Sequence, residues 1–246
     1  MLRKSENGIH WLEFALLQEE RVKHAVVLRH GGVSSGSFSA LNAGAAVGDD
    51  PSHVKENRKR IQETLFLDDL IIGRQVHGVN IESIKDNRLD EPCDGLFVQE
   101  KEKALTILHA DCQAAIFYDP ICHQVANIHC GWRGNVQNIY QKAVEFMRKM
   151  GSFPQNLLVC ISPSLGPAWA QFVHYREEFP EHFHDFRGAE DKFDLWKISQ
   201  MQLEQAGVLS HHIEVANMCT YENVDDFFSY RRENKTGRHA TIVSLI

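Results

Sequence analysis

Two adjoining stretches decide the fold, 105-LTILHADCQAAIFYD-119 and 124-QVANIHCGWRGN-135. In both, apolar runs of strand length end in a tight group of His, Asp, Cys, Trp and Arg. Short runs rich in β-branched and aromatic residues, bounded by turn residues, read as buried strands. Their polar ends are where chemistry is placed. Cys112 and His129 sit at those ends, and the upstream phrase 74-RQVHG-78 offers His77 beside a glycine.

Outward from this centre the chain alternates strands and helices. Residues 9–17 and 24–29 read as strands, followed by 29-RHGGVSSGSFSALNAGAAVGDD-50. That segment is too rich in small residues for a packed helix. It reads as a loop whose glycines let backbone approach a ligand, although it lacks the phosphate-loop pattern. Asp50-Pro51 is a helix start, a capping carboxylate before proline at the first position. The helix extends to about residue 66, with Asn57 and Arg58 read as solvated and Arg58 able to point back toward the loop. Strands are expected at 70–76, 79–84 and 93–98, then on either side of Ala110-Asp111-Cys112, and at 124–129. A helix from 136 to 150 ends at Gly151, a residue suited to a left-handed cap. Further expectations are a strand at 157–161, a helix from 194 to 206, and strand-like segments at 213–216, 227–232 and 240–246. No repeat or boundary interrupts this order. The chain reads as one α+β domain over residues 1–246, with mixed β-sheets flanked by helices.

Composition narrows the function. The 246 residues are 43% hydrophobic and carry a net charge of −7, with a pI near 6.0. A general nucleic-acid binder has a basic balance, so that class is disfavoured. No run is long enough to span a bilayer, so no membrane is expected. Six cysteines without a dense framework suit a reducing cytoplasm. Cys93, Cys122 and Cys160 read as small hydrophobes.

Zinc favours Cys sulfur and His nitrogen, and catalytic sites keep three protein ligands and one open position. His77, Cys112 and His129 supply such a set. Spacing alone leaves His109, Cys130 and Cys219 as equal substitutes, since CxxC and HExxH motifs are absent. The same residues also suit a nucleophilic pair, Cys112 as thiolate with His77 or His129 as base. Arg29, Arg58 and Arg133 lie near glycine-rich turns and suit an anion. The strand before Gly131-Trp132-Arg133-Gly134 and the helix after it would present donors at a helix start. Asp111, beside a ligand, is assigned to ligand orientation or proton transfer, with turn stabilisation as the alternative.

The phrases RHGGVS, NAG, VGDD, VKENR, QVHG, ADC, GWRG, SPSLGP, FFSYRR and TGR, in that order from Arg29 onward, resemble the signatures of the YfiH/laccase-domain family. The resemblance implies a fold akin to the catalytic domain of cytotoxic necrotizing factor toxins, and a zinc-type site of His77, Cys112 and His129. It further implies phosphorolysis of adenosine, inosine or methylthioadenosine, with nucleoside and phosphate as partners, and adenosine deamination as an added activity. An open metal position suits the latter chemistry, although the usual base-deaminase signature is absent. Three departures stand out: HCGWRG where the family reads HAGWRG, His109 where a threonine precedes ADC, and Gln171 where a glutamate is expected. The family's oxidase label meets a chemical objection. Multicopper sites need several His-x-His pairs, and His182/His184, read as part of a surface helix, is a single one. Copper binding and phenol oxidation are therefore expected at most in vitro. Two other classes stay open, an amide hydrolase using Cys112 on a peptidoglycan precursor and a non-enzymatic adaptor.

Overall fold

The computed structural model describes residues 1–84, 89 and 91–246. Twelve strands among them form two sheets. The first sheet contains β1 (Leu2–Glu6), β2 (Ile9–Glu13), β3 (Val22–Val27), β4 (Leu70–Ile72), β7 (Ala104–His109) and β12 (His239–Leu245), in the order β1-β2-β3-β12-β7-β4. The second contains β5 (Ile81–Ser83), β6 (Gly95–Val98), β8 (Gln113–Asp119), β9 (Gln124–Cys130), β10 (Leu158–Ile161) and β11 (Ile213–Val215), in the order β11-β10-β8-β9-β6-β5. Both are mixed: β4–β7, β5–β6 and β10–β11 are parallel, and the other pairs antiparallel.

Side-chain alternation builds the layers. Val26, Leu105, Ile107 and Val243 of the first sheet meet Ile116, Tyr118, Val125 and Cys160 of the second in one shared core. The opposite face of the first sheet, with Ala25, Val27 and Ile242, packs on Ile61 and Leu65 of α1 (Pro51–Leu65). The opposite face of the second, with Phe117, Ala126 and Ile128, packs on α3 (Ile139–Lys149) and on Leu203 of α5 (Leu195–Gln205). β8 and β9 are therefore covered on both faces, and every residue of both is buried. Each large apolar side chain so placed contributes roughly 1.5–3 kcal/mol, which is why these two strands read as continuous apolar runs. Asn127 is the polar exception within the shared core: its amide donates to the carbonyls of Leu105 and Thr241, both at 2.9 Å, and so ties one sheet to the other.

Several expectations change. The strand read over 9–17 stops at Glu13, and those read over 70–76 and 79–84 shrink to three residues each. Residues 227–232 are not a strand. Phe227 and Phe228 are buried anchors, and Ser229 then caps the short α6 (Tyr230–Glu233) by accepting from the Arg232 N–H. The helix expected over 136–150 is two pieces, α2 (Trp132–Val136) and α3, because Asn138 adopts a left-handed conformation and caps α3 itself. His182 and His184 lie in a 3₁₀ turn over Glu181–Phe186 that buries Phe183 between them.

The loop after β3 is structural in its first part. Gly31 and Gly32 press against the backbone of Gly8 and Ala40, where any side chain would collide. Asn57, read from sequence as solvated, is fully buried on α1. Its amide donates to Ser34 Oγ and to the carbonyls of Ala40 and Asn42, and its carbonyl oxygen accepts from the Val33 N–H at 2.8 Å. Arg58 does point back, donating from Nε to the Ala43 carbonyl at 2.9 Å. Asn57→Ala would strand several buried backbone groups, each costing about 1–3 kcal/mol. Urea unfolding should therefore show a loss of roughly 2–4 kcal/mol; a loss within error of zero would contradict the role given to this side chain.

Candidate metal centre

Cys112 stands where the chain crosses from one sheet to the other, between β7 and β8. The crossing requires a left-handed residue, and Asp111 takes it with φ of 80°. Its side chain holds the turn: Oδ1 accepts from Thr220 Oγ1 at 2.7 Å and Oδ2 from the Arg231 backbone N–H at 2.5 Å. Its carbonyl accepts from the Leu165 N–H at 2.9 Å. Both carboxylate oxygens are thus engaged by the C-terminal third of the chain. The geometry matches turn stabilisation, the alternative to the orienting or proton-transfer role.

His77 and His129 are organised by a residue the sequence reading passed over, Asp94. It sits at the start of β6 and is fully buried. Its carboxylate accepts the backbone N–H groups of Val76, His77 and Gly78, at 3.2, 2.9 and 2.7 Å. This folds the turn in which His77 adopts φ of 59°. The same carboxylate accepts from His129 Nδ1 at 2.7 Å, and the Asp94 carbonyl accepts the His129 backbone N–H at 2.6 Å. His129 lies on the face of β9 that turns toward the other sheet, two residues along from Asn127. The signal for Asp94 in sequence was a lone carboxylate at the head of an apolar strand, 93-CDGLFV-98.

The three side chains converge. One donor atom from each of His77, Cys112 and His129 lies within 4.8 Å of the other two. Cys112 Sγ is 3.9 Å from His77 Nε2, and the imidazole rings meet edge to face at 4.9 Å. His77 is exposed, Cys112 half-buried and His129 buried, so the cluster opens on one side only. Gly131 lines it so closely that a Cβ there would stand 3.0 Å from Cys112 Sγ and 3.1 Å from His77 Cδ2. Among the described residues this is the one grouping of three His, Cys, Asp or Glu side chains with ligand geometry.

Charge follows from the same contacts. Burial pushes the Cys112 thiol up, but hydrogen bonds from His129 and His77 outweigh it and hold the group at about 6. Burial pushes His129 down, and its bonds to Asp94 and Cys112 reverse that and raise it to about 9. These shifts describe a thiolate beside an imidazolium back-bonded to a carboxylate; on metal binding the ring's other proton would be displaced, leaving sulfur and nitrogen as donors.

The substitutes read from sequence lie elsewhere. His109 is buried with Nε2 at 2.7 Å from Thr241 Oγ1. Cys130 belongs to the core beneath α3, on the opposite face of β9 from His129, so the departure from HAGWRG points away from the cluster. Cys219 accepts the Gly166 N–H at 3.2 Å. The arginines sit in three separate places. Arg29 is engaged by the carbonyls of Ser39, Val224 and Phe227, and its guanidinium lies over the Phe228 ring. Arg58 rests against Ala43. Arg133 is exposed over Trp132 on α2, a helix of five residues and not the long helix expected there.

The family model for the multi-copper polyphenol oxidoreductase laccases matches residues 23–246. A purine nucleoside phosphorylase of Pseudomonas aeruginosa is 34% identical over 239 residues, covering 92% of this chain and 94% of the relative. Purine nucleoside phosphorylase YfiH of Escherichia coli is 31% identical, over 89% of this chain and 91% of the relative. The fold is similar to that of Bacillus licheniformis YfiH, with a TM-score of 0.89, 26% identity and 99% of both chains covered. It is also similar to YlmD from Geobacillus stearothermophilus, with a TM-score of 0.86, 26% identity and 98% and 97% coverage. The described residues bring together one three-ligand cluster, room for one ion and not for the several that the family's description names. Match, relatives and architecture agree that this chain belongs to the laccase-domain family that includes YfiH and YlmD.

Proposed function

We propose that the chain is a zinc-dependent purine nucleoside phosphorylase of the cytoplasm, cleaving adenosine, inosine or methylthioadenosine with inorganic phosphate. The observation that carries the reading is the convergence of His77, Cys112 and His129, with His129 back-bonded to Asp94. Similarity to the purine nucleoside phosphorylases of Pseudomonas aeruginosa and Escherichia coli supports the substrate class. Sulfur with two nitrogens suits zinc, and copper can occupy the same donors in vitro. Bound there, a dication would supply fixed positive charge beside the substrate, partly offset by the Cys112 thiolate. The chain's own contribution is alignment. Asp94 fixes the tautomer and direction of His129, and the Asp111 turn presents the Cys112 sulfur. Deamination of adenosine at the same centre is a secondary activity within this proposal.

A second reading is favoured by the position of Cys112, whose Sγ lies 3.9 Å from His77 Nε2 and whose thiol the two imidazoles hold low. A thiolate beside two imidazoles also suits a nucleophile acting on an amide. The two readings part on chelation, which abolishes a zinc-dependent reaction and frees a thiolate nucleophile.

Two outcomes are expected. Metal-replete protein should release free base from inosine or adenosine only when phosphate is present, and His77→Ala should lower that rate by at least about a hundredfold. Release unaffected by chelation, or none from metal-replete protein, would sink the proposal. Asp94→Asn should keep much of the turn but weaken the His129 bond, reducing metal affinity by roughly 10–100-fold in a competition titration. Unchanged affinity would show that Asp94 serves only the fold.

A further inference from the structure

The TGR motif, Thr236-Gly237-Arg238, has no part in the metal centre, yet the chain goes to some length to seat its arginine. The Arg238 backbone N–H donates to Asn42 Oδ1 at 2.9 Å, and its carbonyl accepts from the Ala43 N–H at 3.1 Å. Its stem runs past Gly44, where a Cβ would stand 2.8 Å from Arg238 Cγ. Gly237 leaves the same kind of room for the Phe228 ring, 2.7 Å from where its Cβ would be. Nη1 then donates to the carbonyls of Thr236 and Gly237, at 3.0 and 2.9 Å. Two neutral acceptors fix the plane of the guanidinium, and no described carboxylate is in contact with it. Among the described residues Arg238 makes no ion pair with a carboxylate, whereas Arg3, Arg29, Arg60, Arg187 and Arg232 each do.

Its place in the fold is beside the centre. In the β12–β7 ladder His239 pairs with His109, so Arg238 is level with Ala110, at the start of the crossing that carries Cys112. Burial lowers the Arg238 pKa, and the groups that favour its charge are Cys112, Asp111 and Tyr230. Arg58 is also half-buried without a carboxylate, but burial alone shifts it, with no contribution from the centre. Arg231 and Arg232 of the neighbouring SYRR phrase are engaged elsewhere, Arg231 by the carbonyls of Trp169 and Gln171 and Arg232 by those of Thr220, Tyr221 and Phe227 and by Glu233.

We propose that Arg238 is the phosphate-binding residue of this site, its pre-set guanidinium holding the inorganic phosphate dianion beside His77, Cys112 and His129. A partly buried guanidinium with no carboxylate in contact is costly to keep, and a dianion accepting from its remaining N–H groups would supply a direct partner. The proposal rests on the phosphorylase reading for the identity of the anion. Tyr230 is exposed beside it, its ring 5.9 Å from the Arg238 guanidinium carbon.

The test is calorimetric titration of the full-length, zinc-loaded protein with inorganic phosphate, and separately with adenosine 5′-monophosphate, in wild type, Arg238→Lys and Arg238→Met. Loss of the planar fork should weaken inorganic phosphate by about tenfold in Arg238→Lys and further in Arg238→Met. Arg238→Lys keeps a cation for the Thr236 and Gly237 carbonyls, so the comparison survives if Arg238→Met fails to fold. Equal phosphate affinity in folded Arg238→Lys would overturn the assignment. So would Arg238-dependent binding of the nucleotide without binding of inorganic phosphate. Arg238-dependent phosphate binding in a protein that cleaves no nucleoside would support the subsite and remove the phosphorylase reading. Nucleoside cleavage with the same KM for phosphate in Arg238→Lys would do the reverse.

Discussion

The carboxylate of Asp94 is the contact on which the site depends. An isolated carboxylate taken out of water costs far more than any single packing contact returns. This one is tolerated because three backbone N–H groups and one imidazole N–H surround it. Burial pushes its pKa up, and the bonds from His129 and the 76–78 turn more than offset that, leaving it lowered. The bonds that keep the charge buried are the same ones that bend the His77 turn and aim His129. Stability and ligand geometry are therefore set by one group.

The sandwich determines where that group can act. β7 belongs to one sheet and β8 to the other, so the chain between them must cross the seam where the two inner faces meet. Cys112 is carried on that crossing, and His129 lies on the inner face of β9 at the same end. Along β9 the inner face passes from Val125, in the apolar core, through Asn127, which bridges the sheets, to His129 at the open end. The helices outside cover the outer faces and leave this edge free.

What sequence conveyed, and what it did not, follows from this arrangement. β8 and β9 were legible because both faces are buried and their apolar residues, Ala114 to Tyr118 and Val125, Ala126 and Ile128, dominate each strand. His77, Cys112 and His129 were legible as a set through motif resemblance, since spacing alone did not separate them from His109, Cys130 and Cys219. β1 was missed because LRKSE is an exposed edge strand held only by its ladder to β2. Residues 227–232 mimic a strand because two buried phenylalanines precede a helix cap. Asp94 and Asn57 act on partners 15 or more residues away, and Arg238 is seated by Asn42 and Ala43, so no local pattern announces their roles. Arg29 shows the reverse: beside two glycines it suggested a ligand contact, and in the fold it ties together the backbone of two loops.

One cluster of one sulfur and two nitrogens defines the central claim, that His77, Cys112 and His129 hold a single metal ion. Elemental analysis of protein purified without a histidine tag tests it most directly, with wild type compared against Cys112→Ala. About one zinc per chain is expected in wild type, the single occupancy of a three-ligand catalytic site, with loss of that zinc in the variant. Metal-free wild type, or full zinc retained without the Cys112 sulfur, would contradict it.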